Sequence, residues 1–422
     1  MPFKNLYRNY VSFLLFSLLG QFTPAYSQPV FDAFIDRQLK KHPKRFEHIL
    51  KNRDVFDIQI IYTKVDRDRQ GIPHYTTYRY RVDPQRYFYP AGTMGLAAAA
   101  LALEKINNLN KEGLTRETPM FTLAARASQT EVYKDTTSEN GLPSIGHYIR
   151  KLLVGNDHDA YNRLYEFLGQ DYFNESMHAK GYPLFRATHR LDVPLNLEEN
   201  KYTNPIRFEL NGQLIYEQGE QKKQGDRAAS QATQQQFTLQ VGEASDAFPM
   251  DFQEMNAFNL MDQHRFLQNL IFPERAPEEQ KLNLKPDDYQ FLYRYLSQLP
   301  IETEYPEHYR EVFDDASVKY LLFGKTKRRT PRQIRSFNKI GEGYGYLVDN
   351  AYIVDFEMGV EFFLSAVIYC KPGESLDGNR YTYDPIGYQF MADLGKTFLE
   401  YELARRRRDR PFLENFEVEY DK

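Results

Sequence analysis

Residues 88–96 read FYPAGTMGL and lead directly into AAAALALEKIN at 97–107. Alanine and leucine have high helix propensities, so this run predicts a helix that begins near Gly92. Residues three apart on a helix share one face. Gly92 and Gly95 are three apart, so the first turn of this predicted helix carries no side chain on that face.

Strand-like segments lie on both sides of this helix in the chain. Residues 55–65 and 74–82 are rich in β-branched and aromatic residues, and 343–356 and 360–370 form a second such pair. Further helices are predicted at 31–52, 144–153, 159–168, 252–269, 286–299 and 384–408. Four arginines at 405–408 fall at the end of the last predicted helix, where positive charge complements the helix dipole. We expect them to be solvated there; contact with a membrane or nucleic acid is the alternative. Strand-rich ends around a helical centre predict a sheet built from both ends of the chain.

The composition is that of a folded globular protein. The 422 residues are 41% hydrophobic and 15% aromatic, which excludes an intrinsically disordered chain. A net charge of −4 gives no global basic field, so no nucleic-acid partner is expected. The one cysteine, Cys370, cannot form an internal disulfide and ends an apolar run, so we expect a buried thiol. The nine histidines show no metal-ligand spacing, and we predict neither a metal nor another cofactor.

The N-terminal 27 residues have the pattern of a secretory signal peptide. Lys4 and Arg8 precede an apolar run at 11–19, and Ala25-Tyr26-Ser27 is a small-x-small cleavage site. We therefore expect export to the periplasm or the extracellular space, with cleavage after Ser27. An uncleaved membrane anchor is the alternative. No later stretch is apolar enough to span a bilayer, so none is expected in the mature chain.

Three short motifs resemble those of class A β-lactamases and related penicillin-binding-type serine hydrolases. The segment around Gly92, with the helix that follows it, resembles the family's Ser-x-x-Lys helix. Asn156-Asp157-His158 stands where the family has Ser-Asp-Asn. Lys339-Ile340-Gly341 stands where the family has Lys-Thr-Gly. The motifs occur in the family's order, each in a matching predicted element, and the resemblance spans almost the whole mature chain.

The resemblance implies an α/β fold, with a mainly antiparallel sheet flanked by helices, an all-helical lobe and a cleft between them. We expect the sheet lobe to combine 28–85 and 330–422, and the mainly helical lobe to span 86–329. An insertion near 205–245 belongs to the helical lobe. There Asn211-Gly212, between two strand-like runs, predicts a hairpin turn, and a polar loop follows at 219–236.

The catalytic positions of the family are altered in this chain. Gly92 replaces the serine that would form the acyl-enzyme, and Gly95 replaces the lysine that would relay its proton. Thr93 carries a hydroxyl, but it lies about 100° away around the helix and its i+3 partner is Leu96. In the second motif His158 could act as a base near neutral pH or be a hydrogen-bonded structural residue, while Asn156 replaces a proton-relaying serine and Asp157 matches the family.

Other positions bear on what the cleft can still bind. The resemblance implies that Lys339 supports a substrate carboxylate; a solvated strand-end lysine is the alternative. Gly341 matches the family. Glu198 and Glu199 are the nearest candidates, by position, for the family's deacylating glutamate.

Two functions from different classes follow. One is a secreted, catalytically inactive β-lactamase-like protein whose cleft, through Lys339, Gly92 and His158, binds a carboxylate-bearing ligand such as a cell-wall peptide. The other is an active serine hydrolase with a non-standard nucleophile or base. A third hypothesis is that the chain is an unrelated envelope protein whose motifs match the family by chance.

Overall fold

The computed structural model describes residues 32–224, 254–370 and 383–421. The predicted signal peptide at 1–27 and much of the predicted polar loop, from 225 onward, lie outside the described residues. Within the described ranges no helix has both the length and the apolar character needed to cross a membrane.

The largest sheet has five antiparallel strands in the order β2-β1-β10-β9-β8. Two of them precede the helical middle of the chain and three follow it, so the sheet joins distant segments. Two small sheets, β3-β5-β6 and β4-β7, belong to the middle. The strands are β1 Gln59–Arg67, β2 Pro73–Tyr80, β3 Met120–Thr122, β4 Tyr202–Thr203, β5 Ile206–Leu210, β6 Gln213–Gln218, β7 Gln221–Lys222, β8 Ile334–Gly343, β9 Tyr346–Asp355 and β10 Val360–Tyr369.

Helices cover both faces of the five-stranded sheet. They are α1 Ala33–Lys40, α2 Pro43–Lys51, α3 Met94–Leu109, α4 Ile145–Gly155, α5 His158–Leu168, α6 Gln170–Ala179, α7 Leu197–Asn200, α8 Leu260–Ile271, α9 Pro286–Ser297, α10 Tyr309–Val312, α11 Tyr320–Phe323 and α12 Tyr388–Ala404. The predicted α/β fold class, with a mainly antiparallel sheet flanked by helices, is confirmed, but the lobe predicted to be all-helical also contains the two small sheets.

Two apolar cores explain this layering. One lies between α1, α2 and α12 and one face of the five-stranded sheet, and it includes Leu39, Phe46 and Phe398. The other joins the opposite face to α3, α4, α5, α8 and α9. Strand β9 is buried along its full length because both of its faces are covered. The alanine-rich α3 is almost entirely buried in the second core, which fixes its N-terminus beside β8.

The structure corrects three of the predicted helices. The helix predicted at 252–269 begins only at Leu260, where the Asn259 side chain caps it. The predicted helix at 31–52 is divided into α1 and α2, because Pro43 lacks an N–H and disfavours a helical conformation at His42. The last helix ends at Ala404, and Arg405 has an extended conformation. Arg405 and Arg407 both donate hydrogen bonds to Glu402, so these two arginines are tied to the protein rather than solvated.

The predicted hairpin is confirmed. Strands β5 and β6 pair across Asn211 and Gly212, whose φ values of 51° and 77° are the left-handed conformations that a tight hairpin turn requires.

Candidate functional site

The start of α3 is a 3-10 turn at Ala91–Thr93 that leads into the α-helix at Met94. Ala91 has a φ of 45°, which non-glycine residues rarely adopt. The carbonyl oxygen of Pro90 closes the turn by accepting hydrogen bonds from the backbone N (3.0 Å) and Oγ1 (2.7 Å) of Thr93. Thr93 is buried, and its hydroxyl proton is already used within the turn.

Gly92 lies against the side chain of Asn156 and the backbone of β8. A Cβ atom added at Gly92 would overlap Oδ1 of Asn156 and lie 2.9 Å from the carbonyl oxygen of Ile340. Distances below 3.0 Å are essentially never seen for real Cβ atoms. The space that a serine side chain would need is therefore occupied.

Lys339 fills the space beside Gly95. It lies in the middle of β8 and is only 2% exposed, which excludes the solvated strand-end lysine considered above. A Cβ atom added at Gly95 would lie 2.8 Å from Cδ1 of Leu152 and 2.9 Å from Cε of Lys339. The Lys339 ammonium donates a hydrogen bond to Oδ1 of Asn156. Burial lowers the pKa of Lys339 to about 7, although the nearby Asp349 carboxylate opposes this shift.

A chain of hydrogen bonds runs from Lys339 toward the surface. Asn156 caps α4 in a left-handed conformation (φ 54°), accepts from Lys339, and places Nδ2 3.4 Å from Nε2 of His158. Nδ1 of His158 lies 2.5 Å from Oδ2 of Asp192. Since a carboxylate only accepts and an amide nitrogen only donates, these contacts match the tautomer of His158 whose Nδ1 donates to Asp192 and whose Nε2 accepts from Asn156. His158 is thus held from both sides, and its nearest polar partner toward α3 is an amide rather than a nucleophile.

Asp157 has a structural role. Its side chain accepts a hydrogen bond from the backbone N of Ala160 (2.8 Å) and so caps the N-terminus of α5. Its other oxygen lies 3.4 Å from the Tyr309 hydroxyl and 3.5 Å from Nζ of Lys151. All of these contacts orient α5 and bring no reactive group into the cleft.

Gly341 permits the close approach of β8 to the turn that precedes α3. A Cβ atom at this position would overlap the carbonyl oxygen of Pro90 and lie 3.0 Å from Cγ2 of Thr93. Pro90 and Gly92 therefore both touch the backbone of β8, and a side chain at Gly341 would push the strand away. The glycine maintains the packing of the site.

A cleft of about 1090 Å³ lies next to these residues, between the end of β8 and the loop at 189–197. Three residues were predicted to contact a ligand. His158 lines this cleft, whereas Gly92 and the buried Lys339 are not among its lining residues. The lining residues that the structure describes include no serine, threonine or cysteine. They are Tyr89, Ala91, His158, residues 189–197, Met255, Glu342, Gly343, Tyr344 and Tyr383.

Two carboxylates that the sequence analysis did not identify line the cleft, those of Asp192 and Glu342. Oε2 of Glu342, near the end of β8, accepts hydrogen bonds from the hydroxyls of Tyr320 (2.8 Å) and Tyr388 (2.7 Å). Burial, together with the Glu342 charge, raises the pKa of both tyrosines, so they stay protonated and act as donors. The position directly after the Lys-Ile-Gly triplet was the only sequence signal for Glu342.

A buried ion-pair cluster anchors the loop on the other side of the cleft. The Arg190 guanidinium donates to Glu166 (2.8 Å) and to Asn204 (3.1 Å), and Arg163 also pairs with Glu166 at 3.0 Å. These three charged side chains are almost fully buried, so they hold the loop at a fixed distance from α5.

The glutamates proposed for deacylation lie outside the cleft lining. Glu199 forms a capping box with Asn196 at the start of α7. The side chain of Glu198 is 64% exposed and pairs with Lys201. Both carboxylates stabilise the short helix and its surroundings.

Cys370 is fully buried, as predicted, and burial raises its thiol pKa to about 12. In residues 32–224, 254–370 and 383–421, no group of three or more His, Cys, Asp or Glu side chains is arranged to hold a metal ion.

No family model matches the chain, and no curated protein matches its sequence. Several solved structures are similar in fold. A β-lactamase from Xanthomonas campestris is 13% identical, with a TM-score of 0.47 over 86% of this chain and 98% of that one. A class A β-lactamase from Clostridium kluyveri is 11% identical, with a TM-score of 0.47 over 88% and 99% of the two chains. An ancestral class A β-lactamase is 12% identical, with a TM-score of 0.46 over 86% and 99%. These likenesses concern the fold alone.

Proposed function

We propose that this chain is an exported protein of β-lactamase-like fold that has no catalytic activity and keeps its cleft as a ligand-binding site. One observation carries the proposal. Asn156 and Lys339 occupy the space beside Gly92 and Gly95, where the motif resemblance would place a serine and a lysine. A serine at 92 or a lysine at 95 would collide with these two side chains, which argues against a merely dormant site.

The remaining hydroxyl near the helix start does not replace the serine. Thr93 is 2% exposed, and its Oγ1 donates to the Pro90 carbonyl oxygen at 2.7 Å. Its neighbour one turn along, Leu96, has no basic group. An acyl-enzyme of the family's kind needs an accessible serine beside a group that accepts its proton, and the described lining of the cleft includes no serine, threonine or cysteine.

A carboxylate-bearing ligand, such as a cell-wall peptide, is the ligand that the motif resemblance suggests. The contacts in the structure support a carboxylate ligand less strongly than the motif resemblance does. Of the three contacts expected for it, only His158 lines the cleft, and Nδ1 of His158 is already paired with Asp192. The Lys339 ammonium is bonded to Asn156 and would have to leave that partner to reach an anion.

The second candidate is an active hydrolase with a non-standard base. The observation that favours it is the His158–Asp192 pair, because a carboxylate that orients an imidazole is a common way to hold a general base. Such an enzyme would activate a water molecule directly, since the described lining residues include no serine, threonine or cysteine.

The test is treatment of the purified mature protein with a fluorescent penicillin and, separately, with a chromogenic β-lactam. The proposal predicts no labelled band and no hydrolysis above that of buffer, with a serine β-lactamase as positive control. Hydrolysis that disappears in His158→Ala would instead support the second candidate. Export is tested independently by N-terminal sequencing of the secreted protein, which should begin at Gln28; a sequence that begins at Met1 contradicts it.

A further inference from the structure

We infer that the cleft selects a cationic group, namely the ammonium or guanidinium of a peptide side chain. This inference rests on the proposed function, because it assumes that the cleft binds a ligand without reacting with it. It rests on the geometry of Glu342 and on the charges and aromatic rings around it.

Glu342 is a carboxylate held in place without a cation. Its Oε2 atom accepts two hydrogen bonds, from Tyr320 and Tyr388, and its side chain is only partly buried at the cleft wall. No ion pair to Glu342 occurs within the described part of the chain. The ammonium of Lys325 donates to the Tyr388 hydroxyl at 3.0 Å and forms no ion pair with Glu342, to which it is linked through that tyrosine. Two neutral donors therefore fix the orientation of the carboxylate while leaving its negative charge available to a ligand.

The other ionisable groups of the lining do not cancel this charge. Arg190 is buried and paired with Glu166. Burial lowers the pKa of His189, which therefore favours its neutral form. His158 faces the carboxylate of Asp192, which is itself highly exposed. The charge that the described lining presents to a ligand is consequently negative, and a ligand carboxylate near Glu342 would be repelled.

Aromatic rings supply the second element of a cation site. The rings of Tyr89 and Tyr344 meet edge to face with centroids 4.8 Å apart, and the imidazole of His189 lies parallel to Tyr89 at 6.1 Å. Tyr383 also lines the cleft. Tyr89 is buried, so the partly buried rings of Tyr344 and Tyr383 are the ones that a ligand's ammonium or guanidinium group would contact, and the faces of such rings attract these groups. A long side chain with a charged tip fits this combination, because its methylenes can pack on apolar residues of the loop, such as Leu195, while its tip approaches Glu342.

Three blocked tripeptides of matched length test the inference by titration calorimetry on the full mature protein: acetyl-Gly-Lys-Gly-amide, the neutral norleucine analogue and the acidic glutamate analogue. We expect the lysine peptide to bind at least about tenfold more tightly than the other two. Glu342→Gln keeps an oxygen that accepts from the tyrosines but removes the charge, and it should weaken the lysine peptide by about tenfold or more. Glu198→Gln removes a carboxylate outside the cleft lining and should change nothing.

Equal or tighter binding of the glutamate or norleucine peptide would overturn the cationic preference while leaving a ligand-binding cleft in place. Unchanged affinity in Glu342→Gln, or no heat with any peptide at about 10 mM, would overturn the inference as well. If Glu342→Gln fails to fold, wild-type salt dependence decides: affinity for the lysine peptide should fall severalfold between ~20 and ~300 mM salt, and a flat response contradicts a charge-selective site. The proposed function is judged separately, by the absence of penicillin labelling.

Discussion

The ammonium of Lys339 donates a hydrogen bond to Oδ1 of Asn156, and these two side chains lie against the two glycines of the α3 start. Lys339 belongs to β8 and Asn156 to the end of α4, so the contact ties the sheet to the helical region. Gly92 and Gly95 are required by this arrangement, since each lacks the Cβ that would collide with it. The altered motifs therefore form one packed unit.

Alanine at Gly92 or Gly95 should destabilise the protein. Helix propensity alone predicts a gain of about 0.5–1 kcal/mol at Gly95, which lies in the first turn of α3. Each added Cβ would lie below 3.0 Å from neighbouring atoms, and overpacking of this kind costs about 1–3 kcal/mol. We therefore expect the free energy of unfolding, measured with urea, to fall by about 1–2 kcal/mol in each variant.

Two further variants control this experiment. Gly219→Ala, where no atom lies within 4 Å of the added Cβ, should change stability by less than about 0.5 kcal/mol. Asn156→Gly keeps the left-handed backbone and removes the nearest obstacle, so it should reduce the cost of Gly92→Ala. Stabilisation by Gly92→Ala and Gly95→Ala in the wild-type background would show that the space beside the helix is open.

Stability should rise with pH between about 7 and 9.5. Burial lowers the pKa of Lys339, Lys319 and Lys105 to about 7, well below the 10.5 of a free lysine. Between these values the unfolded chain binds more protons than the folded chain, so the free energy of unfolding increases as pH rises. The expected increase is on the order of 1 kcal/mol or more, measured by urea unfolding at several pH values.

Lys339→Met should reduce that slope by roughly one third, because two of the three buried lysines remain. The matched change Lys40→Met removes a side chain that is 64% exposed and should leave the slope as it is. A stability that falls from pH 7 to 9.5 would mean that the buried lysines are charged in the folded protein.

His158 should exist as the tautomer with its proton on Nδ1. Asp192 accepts that proton at 2.5 Å, and Asn156 donates toward Nε2. Long-range ¹H–¹⁵N NMR at a pH where histidine is neutral measures the tautomer. His178 is an internal reference of the opposite kind, since its Nε2 must donate to the Phe185 carbonyl oxygen. Asp192→Ala should shift His158 toward the other tautomer and leave His178 unchanged; an Nε2-protonated His158 in the wild type contradicts the hydrogen-bond chain.

Cys370 should react with thiol reagents only after denaturation. The side chain is fully buried, and burial raises its pKa to about 12, so little thiolate forms near pH 8. Val312→Cys provides a control, because Val312 is 62% exposed. The variant should show one reactive thiol when native and two in denaturant. Rapid labelling of the native wild-type protein would place Cys370 at the surface.

Local sequence patterns predicted much of the fold. The alanine-rich run, the Asn-Gly turn and the strand-like pairs each act within a few residues, where propensity and turn chemistry decide the conformation. The single helix predicted at 31–52 was an error of the same local kind, since Pro43 already marked the break. Strand β8 was not predicted in full, although the Lys-Ile-Gly triplet within it was noted.

The composition of the site was less predictable because its contacts are non-local. Asn156 and Lys339 are separated by 183 residues, and no periodic pattern links them. Asp192 and Glu342 also become part of the site only when the loop and the end of β8 meet across the cleft. The resemblance singled out Gly92, Gly95, Asn156 and Lys339, but it could not show that the last two side chains pack against the two glycines.

The intact mass of the wild-type protein after prolonged incubation with penicillin tests the central claim most directly. If the site is filled and has no nucleophile, the mass spectrum should be identical to that of the untreated protein. The positive control, a serine β-lactamase slowed by removal of its deacylating group, should gain the mass of the drug. A stable adduct of that mass on the wild-type chain, mapped to any residue of the cleft, would contradict the account.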